Sequence, residues 1–180
     1  MPDRRQALVD AAFRGIAERG FEGLRLRPIA AEAGIDHSTL HHYFATKDAL
    51  IAAVLEHVTD QFEATMRMDL DPAARLRHHL TGIAAAVRHS HATFVVLAEL
   101  ELRSLRDERL RQTIDRDEQG WRDALAALFR EGDWAHDLDA EASAELVIAT
   151  LKGLRHRPDT AEAVVEQLCD LFTKPASTGG

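Results

Sequence analysis

Apolar residues recur every three or four positions along almost the whole chain. Leu8, Ala12 and Ile16 share one face of a first helix, and a longer stripe runs from Ile51 to Met66. No segment shows the alternation of apolar and polar residues, bounded by turn residues, that is typical of strands. The pattern predicts an all-α fold of about nine helices.

Residues that favour helix N-termini mark where several of these helices begin. Asp3 and Gln6 fit a capping box ahead of the first helix. Asp159 with Glu162 marks the start of the last helix in the same way. Further predicted caps are Asp36, Thr46, Asp71 and Asp139.

The composition predicts a cytoplasmic protein with no membrane partner. The 180 residues are 46% hydrophobic and 29% charged, which is ordinary for a folded protein with a core. No run of about eighteen apolar residues could cross a membrane, and the N-terminal stretch MPDRRQALVD lacks the apolar centre of a secretory signal. The single cysteine, Cys169, cannot form an internal disulfide, which favours a reducing compartment.

Charge is divided unevenly along the chain. The formal net charge is −8, which taken alone argues against a nucleic-acid partner. Residues 1–50, however, hold seven basic and seven acidic residues, so the whole acidic excess lies in residues 51–180. This asymmetry predicts different roles for the two parts.

Residues 28–44 have the pattern of two short helices joined by a glycine turn. Ala30 and Gly34 are small where two helices must approach closely, and Leu40 points to the apolar side. Such spacing is typical of a helix-turn-helix, whose second helix enters the major groove of DNA. At 100° per residue, the polar residues of the second helix cover roughly 140° of one face. They are His37, Ser38, His41 and His42.

Other roles are open to this histidine-rich stretch. His37 and His41 are four residues apart, a spacing that can hold a metal ion, but no cysteine is near and Asp36 serves better as a cap. Ser38 and His42 have the spacing of a hydrolytic pair, yet no orienting acid or oxyanion site accompanies them. The face could also be merely solvated. We favour DNA, and keep as the alternative a helical metal-binding protein or enzyme that uses the His37, His41 and His42 cluster.

The stretch GFEGLRLRPIAAEAGIDHSTLHHYFATKDAL resembles the TetR family of transcriptional regulators, over roughly residues 4–55. The family pattern has an Ala-Gly-Val/Ile turn, then Thr-Leu-Tyr, an aromatic pair, and Ser/Thr-Lys-Glu/Asp ahead of a leucine. This chain supplies Ala33-Gly34-Ile35, Thr39-Leu40, Tyr43-Phe44, Thr46-Lys47-Asp48 and Leu50. The resemblance implies a homodimeric DNA-binding regulator rather than an enzyme.

The resemblance also implies roles for single residues. Thr39, Tyr43 and Lys47 would contact backbone phosphates, and the other polar residues of the second helix would face bases or nearby phosphates. The full predicted DNA-binding set is Arg25, Arg27, His37, Ser38, Thr39, His41, His42, Tyr43 and Lys47.

This chain departs from the family pattern at three of these positions. The family usually has tyrosine at the position of His41 and often glycine at that of Ser38. It usually has a Thr or Ser helix cap where this chain has Arg25. His41 could still donate to a phosphate, and Arg25 could add a phosphate contact.

Two carboxylates of the C-terminal part lie on otherwise apolar helix faces. They are Asp117, on the helix from 107 to 131, and Glu101, on the helix before it. A buried carboxylate must be paired, hydrogen-bonded or protonated. One interpretation is a salt bridge to Arg88, Arg103, Arg122 or a histidine, and the other is an effector pocket that favours a cationic or hydrogen-bond-donating ligand. The residues that would line this pocket are Phe62, Met66, Phe94, Leu97, Glu101, Asp117 and Trp121.

The last two predicted helices have the pattern of a dimer interface. ELVIATLKGL has apolar residues on several faces, with Ala149 and Gly153 small enough for close packing, and VVEQLCDLF adds a second stripe. Two helices from each protomer would build a four-helix bundle across a two-fold axis. Alternatively, both helices close the core of one chain. The predicted interface residues are Leu146, Ala149, Thr150, Gly153, Val164, Val165, Leu168 and Phe172.

These patterns divide the chain at residue 46. Residues 1–46 are predicted to form a three-helix helix-turn-helix DNA-binding domain, 47–174 a helical effector-binding and dimerisation domain, and 175–180 a disordered tail. The predicted function is that of a ligand-released homodimeric repressor of a palindromic operator, without catalysis, metal or cofactor. Its partners would be double-stranded DNA, a second copy of the chain and a small-molecule effector.

Overall fold

In the computed structural model, which describes residues 3–174, the chain is built of α-helices. Nine α-helices, two 3-10 turns and no strand occur in that range, which confirms the predicted all-α fold. The 3-10 turns are Gly20–Gly23, after the first helix, and Pro158–Thr160, before the last. The predicted disordered tail, residues 175–180, lies outside the described residues. The helices are α1 (Arg4–Arg19), α2 (Leu26–Glu32), α3 (His37–Tyr43), α4 (Lys47–Glu63), α5 (Pro72–His89), α6 (His91–Ser104), α7 (Glu108–Glu131), α8 (Ala140–Leu154) and α9 (Ala161–Phe172).

Residues 3–61 and 91–117 pack into one compact unit. It contains α1 to α3, most of α4, α6 and the start of α7, and α1 contacts both α2 and α6. Each amphipathic helix turns its apolar stripe inwards, so the stripes merge into one continuous core. The most deeply buried side chains include Leu8, Ile16, Leu40, Leu50, Val54 and Leu100.

Residues 62–90 and 118–174 form the second compact unit. Here α5 contacts both α8 and α9. The buried side chains of this unit include Leu76, Leu80, Leu125, Leu128, Val147, Val165 and Phe172. Among the residues described, no helix is both long enough and apolar enough to cross a membrane. The predicted domain boundary at residue 46 stays a prediction.

Side-chain hydrogen bonds confirm three of the predicted helix caps. Thr46, Asp71 and Asp139 each accept a hydrogen bond from the amide three residues further along, at 3.1, 3.0 and 2.8 Å respectively. In each case the side-chain oxygen satisfies an amide that has no partner within its helix. These residues therefore begin α4, α5 and α8 as predicted.

The capping box at the start of α1 is only half formed. Asp3 accepts a hydrogen bond from the amide of Arg5 at 2.9 Å, so it is the N-cap as predicted. Gln6, however, donates its Nε2 to Oδ1 of Asp10 at 2.8 Å. The predicted return bond, from the amide of Asp3 to Oε1 of Gln6, is wrong because the Gln6 side chain is instead directed at Asp10, one turn ahead on the same helix face.

Two other predicted caps do not make capping hydrogen bonds. Asp36 immediately precedes α3, but its side chain makes no bond to the first turn. Asp159 lies within the 3-10 turn Pro158–Thr160, and α9 begins only at Ala161. The prediction for Asp159 is wrong because Pro158 opens a short turn of its own before the helix starts.

Candidate nucleic-acid interface

A tight turn joins α2 to α3. Gly34 has a φ of 67°, a region that residues with a β-carbon rarely adopt. The amide of Gly34 donates to the carbonyl of Ala31 at 3.1 Å, and the amide of Ile35 donates to the carbonyl of Ala30 at 2.9 Å. These two bonds form a Schellman motif, which ends α2 and sets the direction in which α3 leaves.

The core of the first unit supports α3 from beneath. Leu40, in the middle of this short helix, is fully buried. Because the inner face of α3 is fixed by close packing, the outer face is presented as a rigid surface. The same buried core also contains Ile29, Ala30, Ile35 and Phe44.

The outer face of α3 is polar and exposed. The rings of His37 and His41 meet edge to face, with centroids 5.2 Å apart and planes at 71°. Tyr43 is 37% exposed at the end of the helix, and Thr39 is half-buried. This is the face that the sequence assigns to DNA, and its individual contacts with DNA stay predictions. The remaining exposed residues of the face are Ser38 and His42.

Two arginines lie at the start of α2. Arg25 occupies the N-cap position without a capping hydrogen bond, since a guanidinium has no acceptor for a backbone amide. Its Nη2 is 3.8 Å from Oε2 of Glu22, and both side chains are largely exposed. Arg27 is exposed in the first turn. Exposed ion pairs of this kind are weak, so both arginines remain open to an anion such as phosphate.

Lys47, the first residue of α4, lies over an aromatic ring. Its Nζ is 4.6 Å from the centroid of Phe21, in the turn Gly20–Gly23. Phe21 is not among the residues that the sequence predicts for this site. The only available signal was one aromatic residue in the glycine-flanked stretch GFEG, which does not show what the ring contacts.

The histidine cluster on α3 was also considered as a metal site. Within residues 3–174, no three His, Cys, Asp or Glu side chains are grouped so that they could hold a metal ion. The alternative function based on His37, His41 and His42 therefore gains no support from the geometry of this part of the chain.

The residues predicted to line an effector pocket are divided between the two units. Both predicted carboxylates belong to the first unit, and both are half-buried. Of these, Asp117 accepts a hydrogen bond from Oγ1 of Thr59 at 3.4 Å. The pocket stays a prediction. Its residues in the first unit are Phe94, Leu97, Glu101 and Asp117, and those in the second are Phe62, Met66 and Trp121.

The predicted interface residues of α8 and α9 differ in exposure. Leu146 is 50% exposed, and Ala149 and Gly153 are exposed on the same side of α8. Thr150 and Val164 are half-buried. The interface stays a prediction. Its other three residues, all on α9, are buried in the core of the second unit. They are Val165, Leu168 and Phe172.

Comparisons with known proteins agree with this geometry. Residues 8–54 match the family described as bacterial regulatory proteins, tetR family. The HTH-type transcriptional repressor KstR2 of Mycobacterium tuberculosis is 31% identical over 145 residues, which cover 77% of this chain and 72% of that protein. The solved structure of KstR2, a ketosteroid transcriptional regulator, has a TM-score of 0.65 at 25% identity, covering 97% of each chain.

Two further solved structures share the fold. A TetR transcription regulator from Haloarcula marismortui has a TM-score of 0.80 at 24% identity, covering 97% of this chain and 100% of that chain. AibR, solved in complex with isovaleryl coenzyme A and operator DNA, has a TM-score of 0.73 at 21% identity, covering 94% of this chain and 100% of that chain.

The rigid, exposed second helix of the helix-turn-helix defines a DNA-binding transcriptional regulator. The family match at the N-terminus and the similarity to KstR2 along most of the chain make the family definite. The chain belongs to the TetR family.

Proposed function

We propose that this chain is a homodimeric repressor that reads a palindromic operator with α3 and leaves it when a small molecule binds. The exposed polar face of α3, held on a buried apolar base, is the observation that carries the proposal. KstR2 is named as a repressor, and AibR has been solved with both a coenzyme A thioester and operator DNA. Because such a regulator acts where chromosomal DNA lies, we propose the cytoplasm as its compartment.

Roles on DNA are proposed for the residues around α3. Thr39, Tyr43 and Lys47 contact backbone phosphates and set the orientation of the protein, while His37 and the polar residues beside it face base edges. Phosphate contacts supply affinity without sequence preference, so the loss of one weakens binding to every DNA sequence. The loss of a base contact instead changes which sequences are bound. The remaining members of the set are Arg25, Arg27, Ser38, His41 and His42.

Selection of duplexes from a random pool by the purified protein tests this function. We expect a palindromic consensus, with half-sites spaced by about one helical turn of DNA, and a gel shift of the intergenic DNA upstream of the protein's own gene. Absence of any shift at low salt would overturn the proposal. Zinc or iron in the purified protein, lost on His37→Ala, would instead support the metal-binding alternative.

Replacing His41 and His42 together with alanine is expected to weaken operator binding roughly threefold to tenfold at constant salt, because their exposed side chains are proposed to meet phosphate or bases. Fluorescence anisotropy of a labelled operator measures the effect. A double variant that binds the operator as tightly as the natural protein contradicts the prediction.

The dimer interface is proposed to use the exposed face of α8. Replacing Leu146 with glutamate is expected to weaken dimerisation by about a hundredfold or more, because two-fold symmetry places two like charges in one apolar interface. Sedimentation velocity over a dilution series measures the dissociation constant. Leu102→Glu is the control, since Leu102 is 54% exposed on α6 of the first unit and is not among the proposed interface residues. A Leu146→Glu variant that stays dimeric contradicts the proposal.

The effector is proposed to act by changing the distance between the two reading helices of the dimer. The dimer would exchange between a conformation that fits the operator and one that does not. A ligand shifts this equilibrium only by as much as its affinity for the second conformation exceeds its affinity for the first. Half-buried Glu101 and Asp117 favour a cationic or hydrogen-bond-donating ligand. Replacing Asp117 with asparagine should therefore weaken the response to such a ligand more than it weakens operator binding.

A further inference from the structure

Phe21 lies where three separate parts of the first unit meet. Its backbone amide donates a hydrogen bond to Oε2 of Glu99, on α6, at 3.0 Å. A β-carbon on the neighbouring Gly20 would approach the same Oε2 to 3.0 Å. The carboxylate of Glu99 thus packs closely against the turn and restrains the position of Phe21.

The ring of Phe21 is contacted by two cations. Nζ of Lys47, on α4, is 4.6 Å from the ring centroid, and Cζ of Arg103, on α6, is 5.1 Å from it. Both distances are within the range at which the ring quadrupole attracts a cation. Two like charges near one ring also repel each other, and an anion that binds to either cation relieves that repulsion.

Lys47 occupies a position that is unfavourable for a lysine. It is the first residue of α4, where the helix dipole places positive charge and disfavours a cation. The neighbouring carboxylate, Asp48, lies 3.8 Å from Nη1 of Arg109. In the part of the chain that the structure describes, no carboxylate is within ion-pair distance of Nζ of Lys47. The Phe21 ring is therefore the contact that restrains this ammonium group.

A ring and a carboxylate restrain an ammonium group with different consequences. A carboxylate partner would neutralise Lys47 and would have to be displaced before a phosphate could bind. An aromatic face attracts the charge without cancelling it, and it leaves N–H donors of the ammonium group for other acceptors. The Phe21 ring thus holds Lys47 in place, and the ammonium group of Lys47 stays charged and able to bind an anion.

We propose that Phe21 is the positioning residue of Lys47 for its contact with a DNA phosphate, and that Glu99 and Arg103 place Phe21. The proposal rests on the proposed function, in which Lys47 binds phosphate. It makes α6 the element that determines whether this phosphate contact can form. A displacement of α6 would break the contact between Lys47 and the phosphate without any movement of the base-reading face of α3.

The salt dependence of DNA binding provides a specific test of the role of Phe21. Each phosphate contact contributes about 0.9 to the slope of log affinity against log salt concentration. We expect Lys47→Gln to reduce the magnitude of the slope by about 0.9, and Phe21→Leu to reduce it by roughly half of that or more. Phe21→Tyr keeps a ring and should leave the slope unchanged. The double variant, Phe21→Leu with Lys47→Gln, should behave like Lys47→Gln alone, because the ring acts through the ammonium group.

These measurements use the full-length protein and the duplex selected by the natural chain. If Lys47→Gln leaves the slope unchanged, the proposed phosphate contact fails. Two outcomes would keep the phosphate contact and overturn the positioning role of Phe21. In the first, Lys47→Gln reduces the magnitude of the slope and Phe21→Leu does not. In the second, the effects of the two substitutions on the slope add up in the double variant. Circular dichroism melting identifies a variant that has lost its fold, and for such a variant Phe21→Met replaces Phe21→Leu in the same comparison.

The role of Glu99 is tested by the direction of the change in affinity. Removing a negative charge strengthens binding to DNA through general electrostatics. Glu99→Ala is nevertheless expected to weaken binding about threefold, because Phe21 loses the acceptor of its amide. The control is Glu18→Ala, which removes the same charge from an exposed site on α1 and should strengthen binding slightly or leave it unchanged. Strengthened binding by Glu99→Ala would overturn the part of the proposal that assigns a role to α6.

Discussion

Replacing Gly23 with alanine is expected to destabilise the protein by more than about 3 kcal/mol. Gly23 ends the 3-10 turn after α1 and is buried. A β-carbon there would lie 1.8 Å from the carbonyl oxygen of Gly15, on α1. The obstacle is backbone rather than a flexible side chain, so α1 and the turn would have to separate. That separation would also disturb the neighbouring contacts of Phe21.

Urea unfolding, followed by circular dichroism at one protein concentration, measures this loss. The matched control is Gly120→Ala, because Gly120 is exposed within α7 and a β-carbon there would meet nothing within 4 Å. Alanine has the higher helix propensity, so this variant should be more stable by about 0.5–1 kcal/mol. If Gly23→Ala unfolded at the urea concentration of the natural protein, the close approach of Gly15 and Gly23 would be contradicted.

The helix-turn-helix was predictable from sequence because its determinants are local. The turn needs a residue that adopts a positive φ at Gly34, and the apolar positions on either side repeat with the helical period. Buried Leu40 and the exposed histidines of α3 follow from the same periodicity. Each of these features depends on residues within one or two turns of each other, where sequence spacing and spatial distance agree.

The contacts of Phe21 could not be predicted, because they depend on distant parts of the chain. Phe21 meets Glu99 across a separation of 78 residues, and periodicity gives no information on which helices become neighbours. Gln6 shows the same difficulty in part, since Nε2 of its side chain donates to Asp10 and also lies 3.2 Å from Nδ1 of His57 on α4. The contact with Asp10 follows from helical spacing, whereas the contact with His57 depends on which helices become neighbours on folding.

The interface prediction shows a related difficulty. Periodicity identified an apolar stripe on α9, but it could not distinguish a stripe that meets a second chain from one that meets its own. Val165, Leu168 and Phe172 are buried within one chain, in a unit where α9 packs against α5. On α8 the exposed side keeps Leu146, with small residues one and two turns further along. The buried part of the α9 stripe therefore serves the core of one chain, and the exposed side of α8 is the part for which an interface is proposed.

A second large effect, a loss of stability in acid, is expected from His79, which is 1% exposed on α5. Its Nε2 accepts a hydrogen bond from the indole N–H of Trp121 at 2.9 Å. Because an indole nitrogen only donates, Nε2 carries no proton, and the proton lies on Nδ1. Nδ1 therefore donates to Oγ1 of Thr65 at 2.6 Å, whose hydroxyl donates in turn to the carbonyl of Phe62 at 2.5 Å. The chain of hydrogen bonds is complete only while the imidazole is neutral.

Burial, and to a smaller extent the charge of the neighbouring His78, together lower the pKa of His79 to about 4. In the unfolded chain the pKa of a histidine is about 6.5. Between these values the unfolded state binds a proton that the folded state does not, so acid favours unfolding. The contribution of neutral His79 to the free energy of unfolding is fully present above about pH 6.5. It decreases as the pH falls towards 4 and does not change further below about pH 4. The total loss is about 3 kcal/mol.

The difference in unfolding free energy between the natural protein and a His79→Gln variant isolates this effect, because most other titrating groups are common to both. Glutamine can accept from Trp121 and donate to Thr65, but it has no proton to gain in this range. We expect the natural protein to lose about 3 kcal/mol relative to the variant between about pH 7 and about pH 4. Urea unfolding at fixed protein concentration measures it, since dimerisation would otherwise alter the apparent stability. A difference that stays constant with pH would mean that His79 does not remain neutral in the folded protein, and that the hydrogen-bond chain through Trp121 and Thr65 does not form as described.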